Sequence, residues 1–487
     1  MALRIYNSLT KQLEEFVPLQ EGKILMYSCG PTVYDYFHIG NARTFLVSDI
    51  VRRYLEYKGY TVKLVQNLTD IDDKIINRAN EQGISAFQLA QKYVNTYFED
   101  SRNLGIRPAD VHPQATEHIP EMISLIQTLI DKRAAYEVDG DVYYRVNSFA
   151  EYGKLSHRKP EDLLAGARVE IDERKEDPRD FDLWKKSKAG EPSWDSPWGT
   201  GRPGWHVECS AMAMKHLGET IDIHAGGHDL QFPHHENEIA QSEMATGRAF
   251  ARYWMHVAFL RVDGQRMGKS KANFIFVHDA LQEYSSEAIR HFLISAQYRH
   301  PLDYNVTSLQ ESSSAIRRLN NCVDALKPYR DVAASGCGQE ALNDAEASLL
   351  QSVDAMRYGF EAAMDEDFNT AGAIGAIFTF VGEVNHFLAA IESHPSDSSS
   401  IVLSQAYGGL VEVCSVLGIY SKQEAASDEQ TALLEQLMVL VLELRQDARQ
   451  QKDWKTADKI RDRLKKLNIE LQDTRSGATW RIIRGDS

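Results

Sequence analysis

The sequence predicts an α/β fold: a parallel-sheet domain that carries an insertion, then a helical bundle and a small C-terminal α+β unit. Strand-like and helix-like patterns alternate over residues 1–114, which indicates a parallel sheet with helices packed on it. The alternation stops over residues 115–200, and residues 307–425 are almost wholly helical in pattern. At roughly 100–200 residues per domain, a chain of 487 residues corresponds to about three domains.

The first strand pattern leads directly to a candidate ligand site. The apolar run in ILMYSCGPTVYDY breaks at Gly30 and Pro31, and Asn41 to Tyr57 then shows the apolar spacing of a helix that stops at Gly59. A second strand pattern, TVKLVQNLT, and a polar helical region follow. Ligands of such folds usually bind at the carboxyl ends of the parallel strands. We therefore expect a site just after the first strand.

Four further segments complete the predicted organisation. Residues 115–200 combine a helix pattern, a hairpin-like piece and a loop rich in Pro, Trp and Gly, and we interpret them as an insertion. The strand patterns IDIHAGG and WMHVAFLRVDG then resume the first domain, which comprises residues 1–114 and 201–306. After the helical residues 307–425, the polar stretch SKQEAASDEQ is a predicted linker at the start of a C-terminal unit, residues 426–487.

Composition excludes several classes of protein. The chain is 43% hydrophobic and 25% charged, as is usual for a globular protein. We expect no membrane span, because no apolar run reaches about 18 residues. MALRIYNSLTKQLEEF lacks the basic and apolar segments of a signal peptide. Five cysteines in so long a chain make no disulfide framework and favour cytosolic thiols, so we expect a cytoplasmic protein.

The charge is unevenly distributed. Residues 445–487 hold 12 Lys/Arg and 7 Asp/Glu, whereas the other 444 residues hold 42 and 63. A basic end on an acidic body favours a local anionic partner; the alternative is a solvated amphipathic helix. KDWKTADKIRDRLKK is a helix candidate with Trp454, Lys455, Lys459 and Arg463, followed by the strand patterns IELQDT and GATWRII. Such a unit offers cations and aromatic faces to single-stranded RNA.

A candidate metal site combines four side chains. Pro233 can open a helix at its first turn, and on that helix His234 and Glu238 share a face. With Cys29 and Cys209 they make two thiolates, an imidazole and a carboxylate, a set suited to tetrahedral zinc. Three neighbouring side chains compete for the ligand positions: His228, His235 and Glu236. The alternative is that both cysteines are small buried apolar residues.

A candidate nucleotide site combines two separate motifs. HIGN, with His38 and Gly40, stands at the start of the first helix, where the helix N-terminus favours anions and glycine allows a close approach. RMGKSKANF carries Arg266, Lys269 and Lys271 in a loop suited to closing over a polyphosphate. The alternative for the second motif is an ordinary basic turn.

These motifs together resemble those of the class I aminoacyl-tRNA synthetases, and among them the cysteinyl-tRNA synthetase family. The resemblance spans nearly the whole chain, through CGPTVYDYFHIGN, NLTDIDDKII, FDLWK, EPSWDSPWGTGRPGWHVECSAM, IDIHAGGHDLQFPHHENEIAQSE, FNTAGAIGAIF and KDWKTADKIRDRL–IELQDT–GATWR. It implies a Rossmann-type parallel-sheet catalytic domain with a connective insertion and a stem-contact region. A helical bundle and a small α+β anticodon-binding unit would follow.

The resemblance also implies site residues, position by position. The family's zinc ligands correspond to Cys29, Cys209, His234 and Glu238. Its ATP-binding signatures correspond to His38, Gly40, Asn41, Lys269 and Ser270. The positions that line its amino-acid pocket correspond to Thr69, Trp205, His224 and Asp229.

The activity implied by the resemblance is ATP-dependent activation of L-cysteine to cysteinyl-adenylate and transfer to tRNA(Cys). One zinc ion per chain would select the substrate thiolate, Mg²⁺ would accompany ATP, and the protein would be a monomer. The sequence departs from the family at its second signature, with RMGKS in place of KMSKS. Arg266 keeps a positive charge with a different geometry, and Gly268 removes a hydroxyl.

Two other functions stay open at this point. Ligases that couple activated cysteine to an amino-sugar resemble the zinc, HIGN and KMSKS-like parts, but they lack an anticodon-binding end, which residues 445–487 resemble. A non-catalytic paralogue that only binds tRNA or cysteine is favoured by the altered RMGKS alone.

Overall fold

The computed structural model forms two compact units, Met1–Tyr420 and Ser421–Ser487. In the first unit it describes residues 2–158, 173–267, 273–332, 342–391 and 396–420. In the second unit it describes residues 437–438, 440–446, 448–449, 453–466, 469–474 and 477–482.

The centre of the first unit is a four-stranded parallel sheet. After a short antiparallel hairpin, β1 (Arg4–Asn7) and β2 (Gln12–Glu15), its strands are β3 (Lys23–Ser28), β4 (Thr61–Gln66), β9 (Ile221–Gly227) and β10 (Ala251–Val257). Their order is β10-β9-β3-β4, and every neighbouring pair is parallel. The predicted parallel sheet covered by helices is confirmed. Because β4 and β9 flank β3 on opposite sides, the chain reverses its direction of winding beside β3.

The helix that follows β3 begins slightly earlier than its sequence pattern predicts. α1 (Ile39–Tyr57) starts two residues before Asn41, because the His38 side chain caps it and accepts a hydrogen bond from the Asn41 N–H. Phe45, Leu46 and Ile50 are buried against the sheet. The polar helical region after β4 consists of α2 (Asp73–Gln82) and α3 (Ala86–Asn103).

The segment between α3 and β9 forms a separate layer. It begins with α4 (Ile119–Asp131) and continues into an antiparallel sheet of β5 (Ala135–Val138), β6 (Asp141–Tyr144), β7 (Phe181–Lys186) and β8 (Gly201–Pro203). The last strand extends three residues past the predicted end of the insertion at residue 200. α5 (Trp205–Leu217) and α6 (Glu236–Thr246) then flank β9 in the chain.

Small strands and a helical bundle complete the first unit. β11 (Leu260–Val262), β12 (Gln265–Arg266) and β13 (Leu302–Tyr304) form one sheet, and α7 (Val277–Glu283) and α8 (Ser286–Ile294) lie between β12 and β13 in the chain. The bundle helices are α9 (Val306–Leu326), α10 (Asp344–Asp365), α11 (Thr370–Ala390) and α12 (Asp397–Leu417). The predicted helical region is therefore observed.

Two bundle helices, α11 and α12, are long and apolar enough to cross a membrane by length and composition alone. Both pack against α10 and α9 in this structure. At the start of α12, the hydroxyls of Ser398 and Ser399 donate to the carboxylate of Glu346 on α10. These contacts are those of helices in a bundle core.

The second unit contains a helix, α13 (Trp454–Lys466), and a hairpin of β14 (Ile469–Thr474) and β15 (Gly477–Ile482). The strands are antiparallel, with Ile469 opposite Ile482. Met438, Leu464 and Ile469 form its small buried core. The helix and both strands lie where their sequence patterns predict them. The predicted linker SKQEAASDEQ lies outside the described residues.

Candidate active site and metal centre

The candidate site lies at the carboxyl ends of the parallel strands. A cavity of about 340 Å³ opens there. It is lined by Cys29 just after β3, by Thr69 after β4, by Asp229 after β9 and by Val257 at the end of β10. This is the crevice beside the reversal at β3, where open α/β sheets bind their ligands. The site therefore follows from the topology of the sheet.

Two thiols from distant parts of the chain meet in the wall of this cavity. Cys29 follows β3, and its backbone N–H donates to the Ala225 carbonyl on the neighbouring strand β9 (3.0 Å). Cys209 lies on α5, and the two Sγ atoms are 3.9 Å apart. Both side chains are buried. Gly30 is required beside them, because a Cβ there would overlap the Asn67 carbonyl oxygen.

An imidazole and a carboxylate complete the group. His234 Nε2 lies 3.1 Å from Glu238 Oε1, and the ligand atoms of Cys29, Cys209, His234 and Glu238 all lie within 4.8 Å of one another. The prediction that Pro233 opens the helix is confirmed. The backbone is extended at Phe232 (φ −142°, ψ 132°), and from Pro233 onward it is helical and runs directly into α6 at Glu236. His234 therefore lies in the first turn of this helical segment and contacts Glu238 one turn later.

His235 is a close competitor for a ligand position. Its Nε2 lies 3.3 Å from Cys29 Sγ, and Cys29, His224, His235 and Glu238 form a second group within 4.8 Å. However, His235 Nδ1 also lies 2.9 Å from His256 Nε2, and His256 Nδ1 lies 2.8 Å from Ser8 Oγ. His235 is therefore the first member of a chain of hydrogen-bonded groups leading away from the thiols.

The two other predicted competitors lie elsewhere. The Glu236 carboxylate accepts backbone N–H groups of Gly153 (2.9 Å) and Ser156 (2.8 Å), so it anchors part of the connection between β6 and β7. His228 packs edge-on against the Phe259 ring, with 5.4 Å between the ring centres. Neither belongs to a potential metal-binding group within the described part of the chain.

Burial sets the protonation of the donor groups. It raises the pKa of the Cys29 thiol well above its usual value, as do Cys209 and Glu238 beside it. The hydrogen bond with Cys29 lowers the pKa of Cys209, but burial and the Glu238 charge outweigh it and leave that pKa raised. Burial, with His206 and His224 nearby, holds the pKa of His234 well below its ordinary value. At neutral pH the imidazole is therefore neutral, and cation binding would release thiol protons.

The donor set fits a tetrahedral zinc ion. With Zn–S bonds of about 2.3 Å, tetrahedral geometry places two thiolates about 3.8 Å apart. The observed Sγ–Sγ distance of 3.9 Å agrees with this and is far longer than a disulfide bond. His224 Nε2 lies 2.9 Å from Glu238 Oε2, the kind of outer contact that orients a metal-binding carboxylate.

The four predicted amino-acid-pocket residues surround this group in different ways. Thr69, Trp205 and Asp229 line the cavity. Thr69 Oγ1 donates to Glu208 Oε2 (3.0 Å), and the Trp205 ring stacks on the His234 ring with 4.3 Å between centres. His224 is fully buried and is not part of the cavity lining; it lies behind Glu238.

The described nucleotide residues predicted from the first motif line the same cavity. His38, Gly40 and Asn41 line it at the N-terminus of α1. His38 Nδ1 accepts the Asn41 N–H (3.2 Å), and a Cβ at Gly40 would lie 3.1 Å from the Met267 methyl. The helix terminus therefore directs backbone N–H groups toward an anion. Close packing leaves little room for a side chain at Gly40.

The second nucleotide motif falls largely outside the described residues. Lys269, Ser270, Gly268 and Lys271 lie there, whereas Arg266 ends the strand β12. Met267 and Phe274, on either side of that gap, both line the cavity. The described residues nearest the motif on either side are therefore at the cavity.

The predicted RNA-binding residues all lie on α13 in the second unit. Trp454 is 58% exposed, and Lys455, Lys459 and Arg463 are exposed. The three cations are spaced four residues apart, so they share one face of the helix.

Several site residues have no signal in the sequence. Ser8, in the turn after β1, contacts His256, which lies 248 residues later in the chain. His256 in turn contacts His235 beside the thiols. Glu208 is recognisable only as a neighbour of Cys209, although its contact with Thr69 supports the cavity wall. Neither lies in a spacing typical of a ligand set.

Comparisons with known proteins identify the family. A model of the class I (C) tRNA synthetase catalytic domain matches residues 15–314, and a DALR domain model matches residues 359–421. The chain is 48% identical to the cysteine–tRNA ligase of Bacillus licheniformis over 487 residues, with all of both chains covered. The chain belongs to the cysteine–tRNA ligase family. The predicted class of enzyme, an ATP-dependent aminoacyl-tRNA synthetase that charges tRNA with cysteine, is confirmed.

Other comparisons agree with this family. The cysteine–tRNA ligase of Symbiobacterium thermophilum is 50% identical, with 99% of this chain and 100% of the relative covered. The structure of Mycobacterium tuberculosis methionyl-tRNA synthetase with methionyl-adenylate is similar at a TM-score of 0.58 and 15% identity. The match covers 82% of this chain and 90% of the other, and at this identity it shows only that the two chains share a fold.

Proposed function

We propose that the protein uses one zinc ion per chain to select L-cysteine, activates it with ATP to cysteinyl-adenylate and transfers the cysteinyl group to tRNA(Cys). The observation that carries this proposal is the position of the donor group. Two thiols 3.9 Å apart, with His234 and Glu238, share one cavity with the N-terminus of α1. A thiol-binding site and an anion-binding site thus lie within one small space.

Cys29, Cys209, His234 and Glu238 would hold the zinc ion. When bound, zinc supplies a position that a substrate thiolate occupies far better than a serine hydroxyl. A pocket shaped only for size rejects such a near-isostere by about 10²-fold. The residues around the site keep the ligands in place: His224 orients Glu238, and Trp205 stacks on His234. The resemblance to the family's zinc ligands and the presence of two thiols support this set over the equally buried one with His235, whose second nitrogen already contacts His256.

The rest of the cavity would orient the amino acid. The Asp229 carboxylate, on the wall, would accept hydrogen bonds from the substrate ammonium group. Thr69 and Trp205 would form the walls beside the substrate side chain. With its two ends held, the substrate carboxylate points toward His38 and the start of α1. Such alignment supplies much of the rate enhancement of a reaction between two bound substrates.

Activation needs charge stabilisation more than covalent help from the protein. A carboxylate oxygen attacks the α-phosphorus of ATP, and the bond to pyrophosphate breaks. His38, Gly40 and Asn41 would contact the phosphates at the helix N-terminus, and Lys269 and Ser270 would do so from the second motif. Mg²⁺ would accompany ATP, held mainly by phosphates and water. A ribose hydroxyl of tRNA then attacks the acyl carbon, and AMP leaves.

The second unit would bind the anticodon end of tRNA. Lys455, Lys459 and Arg463 offer three cations on one helix face, and exposed Trp454 offers a ring for an unpaired base. We further propose that the protein acts as a monomer in the cytoplasm.

The proposed function is tested by cysteine-dependent ATP–pyrophosphate exchange, followed by charging of tRNA(Cys) in the same preparation. Both reactions should occur, and serine should not replace cysteine. Lys269→Ala should lower the exchange rate by about 10²-fold with cysteine binding retained, because its charge acts on the phosphates. Exchange that proceeds equally with serine would contradict selection through the thiol.

A further inference from the structure

One cation at the cavity has no role in the function proposed so far. Lys74, the second residue of α2, is the one lysine or arginine among the described residues that line the cavity. Its side chain is exposed. Its Nζ lies 5.7 Å from the centre of the Tyr34 ring and 5.8 Å from the centre of the Trp205 ring. Two aromatic faces therefore hold the ammonium group at the cavity mouth without neutralising it.

Two of the neighbouring acidic groups are paired with other cations, and a third, Asp72, accepts the backbone N–H of Lys74 (2.8 Å). Asp73, next to Lys74, bonds to Arg202 and to Lys185 (3.0 Å). Asp35, also on the cavity wall, lies 4.0 Å from Arg78. Within the described part of the chain, no carboxylate oxygen lies within 4.0 Å of Lys74 Nζ. An ammonium group without a direct ion pair therefore faces whatever passes through the mouth.

The position of Lys74 relative to the metal centre indicates which anion it meets. His234 is buried, Trp205 stacks on it, and Lys74 lies against Trp205 and is exposed. From the metal-binding group toward solvent, the order is therefore His234, Trp205 and Lys74. The ATP phosphates are expected at the N-terminus of α1, where His38 lies, so the anion at the mouth is one that enters after activation.

We propose that Lys74 binds a backbone phosphate of the 3′-terminal nucleotides of tRNA and holds the terminal ribose over the adenylate during transfer. This inference rests on the proposed function and names a residue for its second step. A lysine restrained by two rings is already ordered, so it loses less side-chain entropy on binding phosphate than a free surface lysine does.

The experiment separates the two steps of the reaction. Cysteinyl-adenylate is formed on the enzyme, and single-turnover transfer to tRNA(Cys) is followed over a range of tRNA and salt concentrations. Lys74→Ala should raise the tRNA concentration for half-maximal transfer by about 10-fold. It should also reduce the salt slope, the dependence of the logarithm of tRNA affinity on the logarithm of salt concentration, by about one charge. Its ATP–pyrophosphate exchange should stay within about twofold of the wild type. Lys74→Arg should keep the salt slope.

Lys92 provides a matched control. It is another exposed lysine, with its Nζ 5.1 Å from the centre of the Tyr93 ring, but it is not part of the cavity lining. Lys92→Ala should leave transfer and salt slope unchanged. Equal loss of exchange and transfer in Lys74→Ala would overturn the proposal and assign Lys74 to cysteine or ATP. Unchanged transfer in Lys74→Ala would also overturn it. If Lys74→Ala does not fold, Lys74→Gln replaces it, and an unchanged salt slope in that variant would overturn the proposal. Absence of exchange in the wild type would instead contradict the proposed function.

Discussion

Glu238 shows how single side chains organise the site. One of its oxygens lies 3.1 Å from His234 Nε2 and 3.7 Å from Cys29 Sγ, and the other lies 2.9 Å from His224 Nε2. The carboxylate is thus held from both sides and has one orientation. A ligand fixed in this way is preorganised, which raises metal affinity. The i, i+4 spacing of His234 and Glu238 predicts their contact, whereas nothing in the sequence near Glu238 predicts the contact with His224.

Asp100 provides a pH test at the scale of one residue. It lies on α3, it is buried, and its Oδ2 has no hydrogen-bond partner within the described part of the chain. Burial raises the pKa of Asp100 to about 6; His278 lowers it, and Glu99 and Asp279 raise it. Because the folded pKa exceeds the unfolded value, Asp100 adds stability below about pH 4 that is lost as the pH rises through 6.

We therefore expect Asp100→Asn to remove this pH dependence. The melting temperature of the variant, relative to the wild type, should rise between pH 4 and 7 and then level off. The free-energy difference across that range should reach about 2–3 kcal/mol. Glu99→Gln changes the adjacent exposed carboxyl group and should show a much smaller rise. A constant difference between Asp100→Asn and wild type at all pH values would contradict the raised pKa.

At the scale of elements, local patterns predict most helices and strands but not the turns that tertiary contacts shape. The strand before Cys29, the helix α1 and the hairpin β14–β15 lie where their apolar spacing and turn residues predict them. The turn before α6 is kinked at Phe232, and the apolar spacing does not predict that kink. The contact of His234 with Glu238 follows from their i, i+4 spacing, whereas His235 contacts Cys29 and His256, which lie on other elements. Contacts between elements leave no periodic signal.

The loop between α10 and α11 anchors the bundle to the N-terminal hairpin and to the segment after α8. Asp367, with a left-handed backbone (φ 59°), accepts hydrogen bonds from the Tyr6 N–H (2.8 Å), Tyr298 Oη (2.7 Å) and Arg299 Nε (2.6 Å). Its carboxylate thus joins β1 and the segment after α8 to the bundle. Asn tolerates the same backbone, so Asp367→Asn changes the charge and one acceptor with little effect on shape.

Asp367→Asn should destabilise the first unit by about 2–4 kcal/mol, because Arg299 loses its charged partner in a half-buried place. Equilibrium unfolding in urea measures this change. Glu366→Gln is the matched control, since Glu366 pairs with Arg4 at the surface. Its effect should be much smaller. Equal effects of the two variants would show that the loop is not an anchor.

At the scale of the whole molecule, changes of pattern along the chain predict the order of sheet, insertion and helical regions, but not the residues at which their elements end. The change from alternating to helical pattern near residue 307 agrees with the start of α9 at Val306. The insertion sheet runs to Pro203 rather than to residue 200, because β8 pairs with β7, a contact with no local signature. The meeting of Cys29 and Cys209, 180 residues apart, likewise depends on how α5 packs on the sheet.

Removal of residues 421–487 tests whether the first unit activates cysteine and the second unit binds tRNA. All the described residues that line the cavity belong to the first unit, so the truncated protein should keep cysteine-dependent pyrophosphate exchange. Charging of tRNA should fall mainly through lost affinity, because the cations of α13 are gone. In the full chain, combined replacement of Lys455, Lys459 and Arg463 by alanine should flatten the salt dependence of charging. Unchanged charging by the truncated protein would show that the second unit does not bind tRNA.

Selection of cysteine through its thiol is tested most directly by the absorption spectrum of the cobalt-substituted protein during titration with amino acids. With Cys29 and Cys209 as ligands, the protein should show thiolate-to-cobalt absorption, and Cys209→Ser should weaken it. Adding L-cysteine should strengthen that absorption as a third thiolate binds, whereas L-serine at the same concentration should leave it unchanged. A spectrum without thiolate-to-cobalt absorption, or one that responds equally to cysteine and serine, would contradict the proposed site.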